Sequence, residues 1–298
     1  MVSRLSYIMA KTSYNPKADG LLRVSKSSFM LYSQCPRKYW WQHVGLPDVR
    51  EPPSPAMIRG TNIHKLSEVI MTAPKDERRV RAKAISEEKH IEDDDPFMAD
   101  VCLELDDEIR KQWGDYEVIM CEDKISAIDE KMGVELVGSL DGVLRFTDDE
   151  GEEYIVLVEV KTGNWSSGKL SRTRRELCFY TKLLHHHSDI KPTHFLYITP
   201  DFNWVMGSHL IDDWDGKRNK HSVVSQMGHG TAWMEQINPR SINAFMKAYD
   251  KGIEGMKSMS FNMKWNDYYC GQYCPYMIQC EPELNGLADD PTKEDETI

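Results

Sequence analysis

The chain has 298 residues, a formal net charge of −11 and seven cysteines. That length supports one large core with a helical annex or two small domains, and the ordinary balance of apolar and charged side chains excludes a fibre or a wholly disordered chain. The opening residues Met1 to Lys11 lack an apolar run of signal-peptide length and no segment reaches the roughly 20 apolar residues that cross a bilayer, so a cytoplasmic protein with no membrane partner and reduced cysteines is expected.

Residues 1–24 read as a poorly patterned lead-in. Ser27 or Ser28 is placed to cap a helix carrying Phe29, Met30, Leu31, Tyr32, Tyr39 and Trp40, which Pro36 either kinks or restarts. Gly45 and the Pro52-Pro53-Ser54-Pro55 stretch end that unit. A second helix is predicted to start near Thr61, because Ile63, Leu66, Val69 and Ile70 recur at helical spacing. Residues 74–95 are charged and carry a surface helix, and a more amphipathic one follows Pro96 through Trp113.

From Glu117 the period shortens toward two. Val118 and Met120 open a strand, and a longer strand is predicted from Val134 to Phe146, with Leu136, Leu140 and Leu144 on one side and Val137, Asp141 and Val143 on the other. An acidic turn at Gly151 reverses the chain into residues 154–161, apolar enough for a central strand. A polar loop after Gly163 leads to a helix from Arg172 to His185, a strand over Phe195–Thr199, an edge strand over Met206–Ile211 and helix through most of residues 232–257. Strands joined by a crossover helix define an α/β fold with a central mixed β-sheet and flanking helices. One domain is expected over residues 25–281, with its core at about 115–215 and a helical, cysteine-bearing region from 25–113 plus 216–281; residues 282–298 form an acidic, mobile tail.

Within the central strand, alternation puts Glu159 and Lys161 on one face, and the preceding hairpin arm brings Asp141 beside them. Convergent carboxylates suit Mg²⁺ or Mn²⁺, which bind phosphate oxygens, polarise a phosphodiester and acidify an attacking water. Lys161 supplies positive charge where negative charge grows. The same pair also fits a structural salt bridge. Cys35 and, 235 residues later, the group Cys270, Cys274 and Cys280 offer four soft ligands for one centre that staples the chain's ends, either Zn²⁺ or [4Fe–4S]. Cys102, Cys121 and Cys178 read as small buried side chains.

Gly138-Ser139-Leu140-Asp141-Gly142 followed by Val158-Glu159-Val160-Lys161-Thr162-Gly163 resembles the signature of the PD-(D/E)XK nuclease superfamily, and the order of motifs resembles its RecB-like exonucleases, including the CRISPR-associated iron–sulfur nucleases and the AddB nuclease domain. The resemblance spans most of residues 25–281 and implies a restriction-endonuclease-like core with an iron–sulfur-stapled helical annex. Gly60-Thr61-Asn62-Ile63-His64 matches the family's upstream glycine and histidine motif, so the resemblance implies a metal site from His64, Asp141, Glu159 and Val160, with Glu68 a turn beyond His64, and a [4Fe–4S] cluster on Cys35, Cys270, Cys274 and Cys280, with zinc as the alternative occupant. Glu176 to Tyr180 matches the family's Gln-x-x-x-Tyr helix, which implies substrate binding by both residues; glutamate in place of glutamine adds negative charge that opposes a direct phosphate contact and invites pairing with Arg172 or the ordering of a metal-bound water instead, while Tyr180 becomes a catalytic-site and substrate contact. Although the acidic balance opposes phosphate binding overall, Arg37, Lys38, Lys169, Arg172, Arg174 and Arg175 are local cations for a DNA backbone. The expected function is a divalent-metal-dependent exonuclease on single-stranded or end-containing DNA, in repair or recombination, beside a helicase, integrase or recombination protein. The alternatives are a noncatalytic nucleic-acid-binding or adaptor module and a subunit active only within such a complex. The absence of a Gly-rich phosphate loop argues against ATP hydrolysis.

Overall fold

Residues 20–46, 52–147, 150–163, 167–203, 222–225 and 229–293 are described by the computed structural model. In chain order they form β1 (Leu22–Ser25), α1 (Lys26–Gln34), α2 (Pro36–Trp40), a π turn (Trp41–Gly45), α3 (Pro55–Thr72), α4 (Arg78–Glu88), α5 (Ile91–Asp94) and α6 (Met98–Trp113). There follow β2 (Tyr116–Met120), β3 (Asp123–Asp129), β4 (Val134–Leu140), β5 (Gly142–Thr147), β6 (Glu153–Val160), α7 (Ser167–Ser188), β7 (His194–Asn203), β8 (Ser222–Val224) and β9 (His229–Gln236). The chain closes with α8 (Pro239–Lys257), α9 (Asp267–Tyr273) and α10 (Met277–Leu284). No helix among these residues is long and apolar enough to cross a membrane.

The chain divides into two units, one from Pro52–Ile125 with Gly138–Asn243 and the other from Met1–Glu51, Ser126–Val137 and Ala244–Ile298. The first holds a six-stranded sheet in the order β2-β5-β6-β7-β9-β8. β6 and β7 are parallel and joined by α7, while their outer neighbours pair antiparallel, which gives the mixed α/β sheet that the sequence predicts. Val156 to Val160 are buried at both parities, as a central strand requires. Val156, Val158 and Val160 join Val101, Leu105 and Ile109 of α6 in one core. The other parity carries Glu159, in register with Tyr197, whose ring stacks on Trp233 of β9 at 4.9 Å.

The long strand expected from Val134 to Phe146 is two strands in two sheets. β4 pairs with β1 and β3, β5 with β2 and β6, and the chain bends between them at Asp141. Alternation conceals this break, because the side-chain period continues while the hydrogen-bonding partners change. Residues 232–236, expected in a helix, belong instead to β9, where pairing with β7 and β8 overrides helix propensity; the helix starts at Pro239. The edge strand expected at Met206–Ile211 lies outside the described residues.

In the second unit β1 runs parallel to β4, in a sheet of order β1-β4-β3. Ser25, rather than Ser27 or Ser28, is the N-cap of α1: its hydroxyl accepts the Ser28 N–H at 3.1 Å, and the Ser25 N–H is returned to the Ser28 hydroxyl at 2.9 Å. Pro36 restarts the helix as the first residue of α2. The Phe29 ring of α1 meets Phe245 and Tyr249 of α8 at centroid separations of 5.7 and 5.5 Å. Beyond residue 281 the chain completes α10, and Asp290 accepts a hydrogen bond from Arg37 at 2.6 Å, so this part of the expected tail packs within the unit.

Gly138, which belongs to the same unit as α7, is closely packed by that helix: a Cβ there would lie 2.7 Å from the buried Tyr180 ring and 3.0 Å from Leu183. Gly138→Ala should therefore lower unfolding free energy by about 1–3 kcal/mol through overpacking, read as a lower urea midpoint at unchanged slope. An unchanged midpoint would show that the ring yields without cost.

Candidate active site

The site begins with the start of α3. The Ser54 hydroxyl accepts the Met57 N–H at 3.3 Å and Pro55 occupies the first turn, so the helix starts ahead of the predicted Thr61 and Gly60 lies inside it. A Cβ on Gly60 would stand 3.3 Å from the Thr162 hydroxyl, so its missing side chain lets α3 approach the segment that leaves β6. Ile63, Leu66 and Ile70 anchor the buried face of α3. His64, one turn beyond Gly60, reaches a cleft of about 610 Å³ that Glu68, Glu122, Asp141 and Thr162 also line.

His64 Nδ1 lies 3.4 Å from Asp141 Oδ1 and 3.7 Å from Glu122 Oε1. One donor atom from each of these three residues falls within 4.8 Å of the others, a set able to hold a metal ion. The second Asp141 oxygen accepts the buried Val160 N–H at 2.7 Å, which ties the bend after β4 to the end of β6. Glu122 turns into the cleft from a left-handed backbone (φ 54°), its N–H bonded to the Leu140 carbonyl at 2.8 Å and its carboxylate facing the Ser139 hydroxyl at 3.4 Å. Burial works against a charged His64 ring, but the hydrogen bonds to Asp141 and Glu122 and the nearby Glu159 charge outweigh it and raise its pKa to about 10. The same contact with His64 draws the Glu122 pKa down.

Glu159, 1% exposed, accepts from Lys161, whose ammonium also reaches Glu176 of α7 at 3.0 Å. Arg172 bonds the other Glu176 oxygen at 3.1 Å, the pairing expected from their helical spacing. The structure thus gathers His64, Asp141, Val160 and, through Lys161, Glu159 and Glu176. Glu122 was not foreseen: it stands in the polar link Cys121-Glu122-Asp123, where no period marks a direction, and its pairing with Ser139 is visible only in three dimensions. Glu68, expected beside His64, lines the cleft but bonds Lys65 at 2.7 Å. Tyr180 is buried against Gly138, so its ring serves packing and does not present a face to substrate.

The basic residues divide. Arg172 and Arg175 are exposed on α7, and Lys169 donates to the Thr162 carbonyl at 2.7 Å. Arg174 grips Glu235 through two bonds of 2.7 and 2.6 Å, and Lys38 donates to the Tyr269 hydroxyl at 3.0 Å. Arg37, expected on the DNA backbone, is 1% exposed and bonds Glu283, Asp290 and the Phe261 carbonyl, so it holds its own unit together and has no path to a phosphate.

The cysteine centre is corrected by the structure. Cys35, Cys270, Cys274 and Cys280 do line one small cavity, but among the described residues the donor atoms that meet at metal-holding distance are those of His64, Glu122 and Asp141, not of the four cysteines. Burial is the largest influence on Cys274 and Cys280 and raises both thiol pKa values. The expected [4Fe–4S] centre, its zinc alternative and the iron–sulfur-stapled annex are therefore not what this arrangement supports. Sequence spacing brought the cysteines to one cavity but could not set the distances between their sulfurs.

A model of the PD-(D/E)XK nuclease superfamily matches residues 23–281. No curated protein matches the chain. The solved structure titled "Crystal structure of SSO0001" aligns over 93% of this chain and 91% of that chain at 12% identity with a TM-score of 0.37, a likeness too weak to carry an argument.

The His64 environment sets a pH dependence. Its folded pKa of about 10 exceeds the ~6.5 of an unfolded histidine, so the charged ring contributes stability that is complete below about pH 6.5 and is lost as pH rises toward the folded value. Chelator-treated wild type should lose more stability between pH 6 and 9.5 than His64→Gln does, measured by urea titration at several pH values. Parallel pH profiles for the two proteins would rule this out.

Proposed function

The chain belongs to the PD-(D/E)XK nuclease superfamily, and on that premise we propose that it is a divalent-cation-dependent deoxyribonuclease that hydrolyses phosphodiester bonds at DNA ends. The observation that carries this reading is the His64, Glu122 and Asp141 donor set opening on a cleft. Two carboxylates and an imidazole suit one divalent cation of the harder kind, and the field that raises the His64 proton affinity favours any positive charge placed there. A cation bound at these donors would polarise the scissile phosphate and acidify the attacking water.

The chain's own residues supply the rest. The Val160 N–H fixes one Asp141 oxygen and leaves the other toward His64; this backbone bond is the part Val160 plays in the site. His64 releases its proton when its ring nitrogen serves as a donor. Lys161, held by Glu159 and Glu176, brings an ammonium to the place where a phosphorane-like charge grows. Exposed Arg172 and Arg175, with Lys169, offer charge to backbone phosphates along α7. The order of Gly60 and His64, Asp141, Glu159 and Lys161, then Glu176 and Tyr180 supports a RecB-like placement, and with it exonucleolytic action on single-stranded or end-containing DNA in repair or recombination.

End-labelled DNA incubated with the protein and Mg²⁺ or Mn²⁺ should shorten progressively, and EDTA should stop it. Asp141→Ala and Glu159→Ala should lower the rate by about a thousandfold or more, and Lys161→Ala by about a hundredfold. Labelling the 5′ and 3′ ends separately reads polarity. Folded protein that leaves single- and double-stranded DNA intact with either ion would refute the proposal.

A further inference from the structure

We infer that Glu176 is a positioning residue for Lys161, acting through the ammonium and touching neither substrate nor cation. The inference rests on the nuclease reading above for its catalytic consequence, though the geometry that motivates it stands independently. Lys161 follows β6 directly, and its side chain, 23% exposed, is reachable from solvent. A lysine held only by Glu159, two residues before it in the chain, would keep several rotamers within reach of that one carboxylate. Glu176 approaches from a different element, α7, and meets the ammonium at 3.0 Å. Two carboxylates from two elements define a position where one defines only a radius.

Glu176 is itself fixed. Its side chain is 9% exposed, with one oxygen on Lys161 and the other on Arg172 at 3.1 Å. Arg172 sits one turn earlier on the same helix, so α7 carries both the carboxylate and the cation that steadies it. A glutamine here would keep one acceptor oxygen for Lys161 but turn its amide N–H groups toward Arg172. Glutamate gives each cation its own acceptor oxygen, and its negative charge balances part of the positive charge that Arg172 and Lys161 bring to the end of the sheet. Bound to both neighbours, Glu176 has no reason to face a phosphate, which answers the question its charge raised in the sequence.

The test uses the full chain with Mn²⁺ and end-labelled DNA. Glu176→Ala should reduce kcat by about ten- to a hundredfold, the scale of a misplaced catalytic group, with KM changed less than about threefold, and Glu176→Gln should restore most of the loss. In a Lys161→Ala background, Glu176→Ala should cost nothing further, because the residue works through the missing ammonium. A second arm needs no catalysis: acylation of the Lys161 amine by an N-hydroxysuccinimide ester, followed by peptide mass spectrometry, should proceed several-fold faster in Glu176→Ala than in wild type. Wild-type kcat in Glu176→Ala, or equal losses in both backgrounds, would overturn the positioning role. If the wild type itself cuts nothing, the nuclease reading fails, and the acylation rates alone decide: an unchanged rate rejects the inference and a faster one upholds the contact.

Discussion

The hydrogen bond from the buried Val160 N–H to Asp141, 2.7 Å long, is the joint on which the site depends. Asp141 occupies the bend where the chain leaves one sheet for another, a place with no ladder of its own to fix a side chain. One carboxylate oxygen bonds the backbone of the central strand, so the other is directed toward His64. The same strand end carries Glu159 and leads into Lys161. A single backbone donor therefore sets the spacing between the imidazole and carboxylate group on one side and the lysine group on the other. A charge-assisted bond in buried surroundings is among the stronger hydrogen bonds a protein forms, which suits it to that task.

Around this joint the chain concentrates negative charge. Glu122, Asp141, Glu159 and Glu176 lie within a short reach of two cations, His64 and Lys161. Carboxylates held together repel unless positive charge is present, and the raised pKa of His64 is one response to that repulsion. Positive residues are allotted unevenly as well: Arg37 and Arg174 stabilise their own units, while Arg172 and Arg175 remain on the surface of α7. Which basic residues can meet a phosphate is decided by burial rather than by clustering in sequence.

What the sequence determined by itself was the set of elements with a strong internal signal. β6 was legible because eight residues of nearly continuous apolar character fit a strand buried on both faces. The Glu176 and Arg172 pairing was legible because helical periodicity places residues four apart on one face, and the motif order carried the superfamily. Only the tertiary structure decided the break at Asp141, the strand at residues 232–236, the entry of Glu122, the burial of Arg37 and the failure of the four cysteines to meet as ligands. The reason is common to all five. A side-chain pattern records which face of an element avoids water, but it does not record which backbone supplies the next hydrogen bond or how many ångströms separate two donors from distant parts of the chain. Those quantities exist only once the chain has packed.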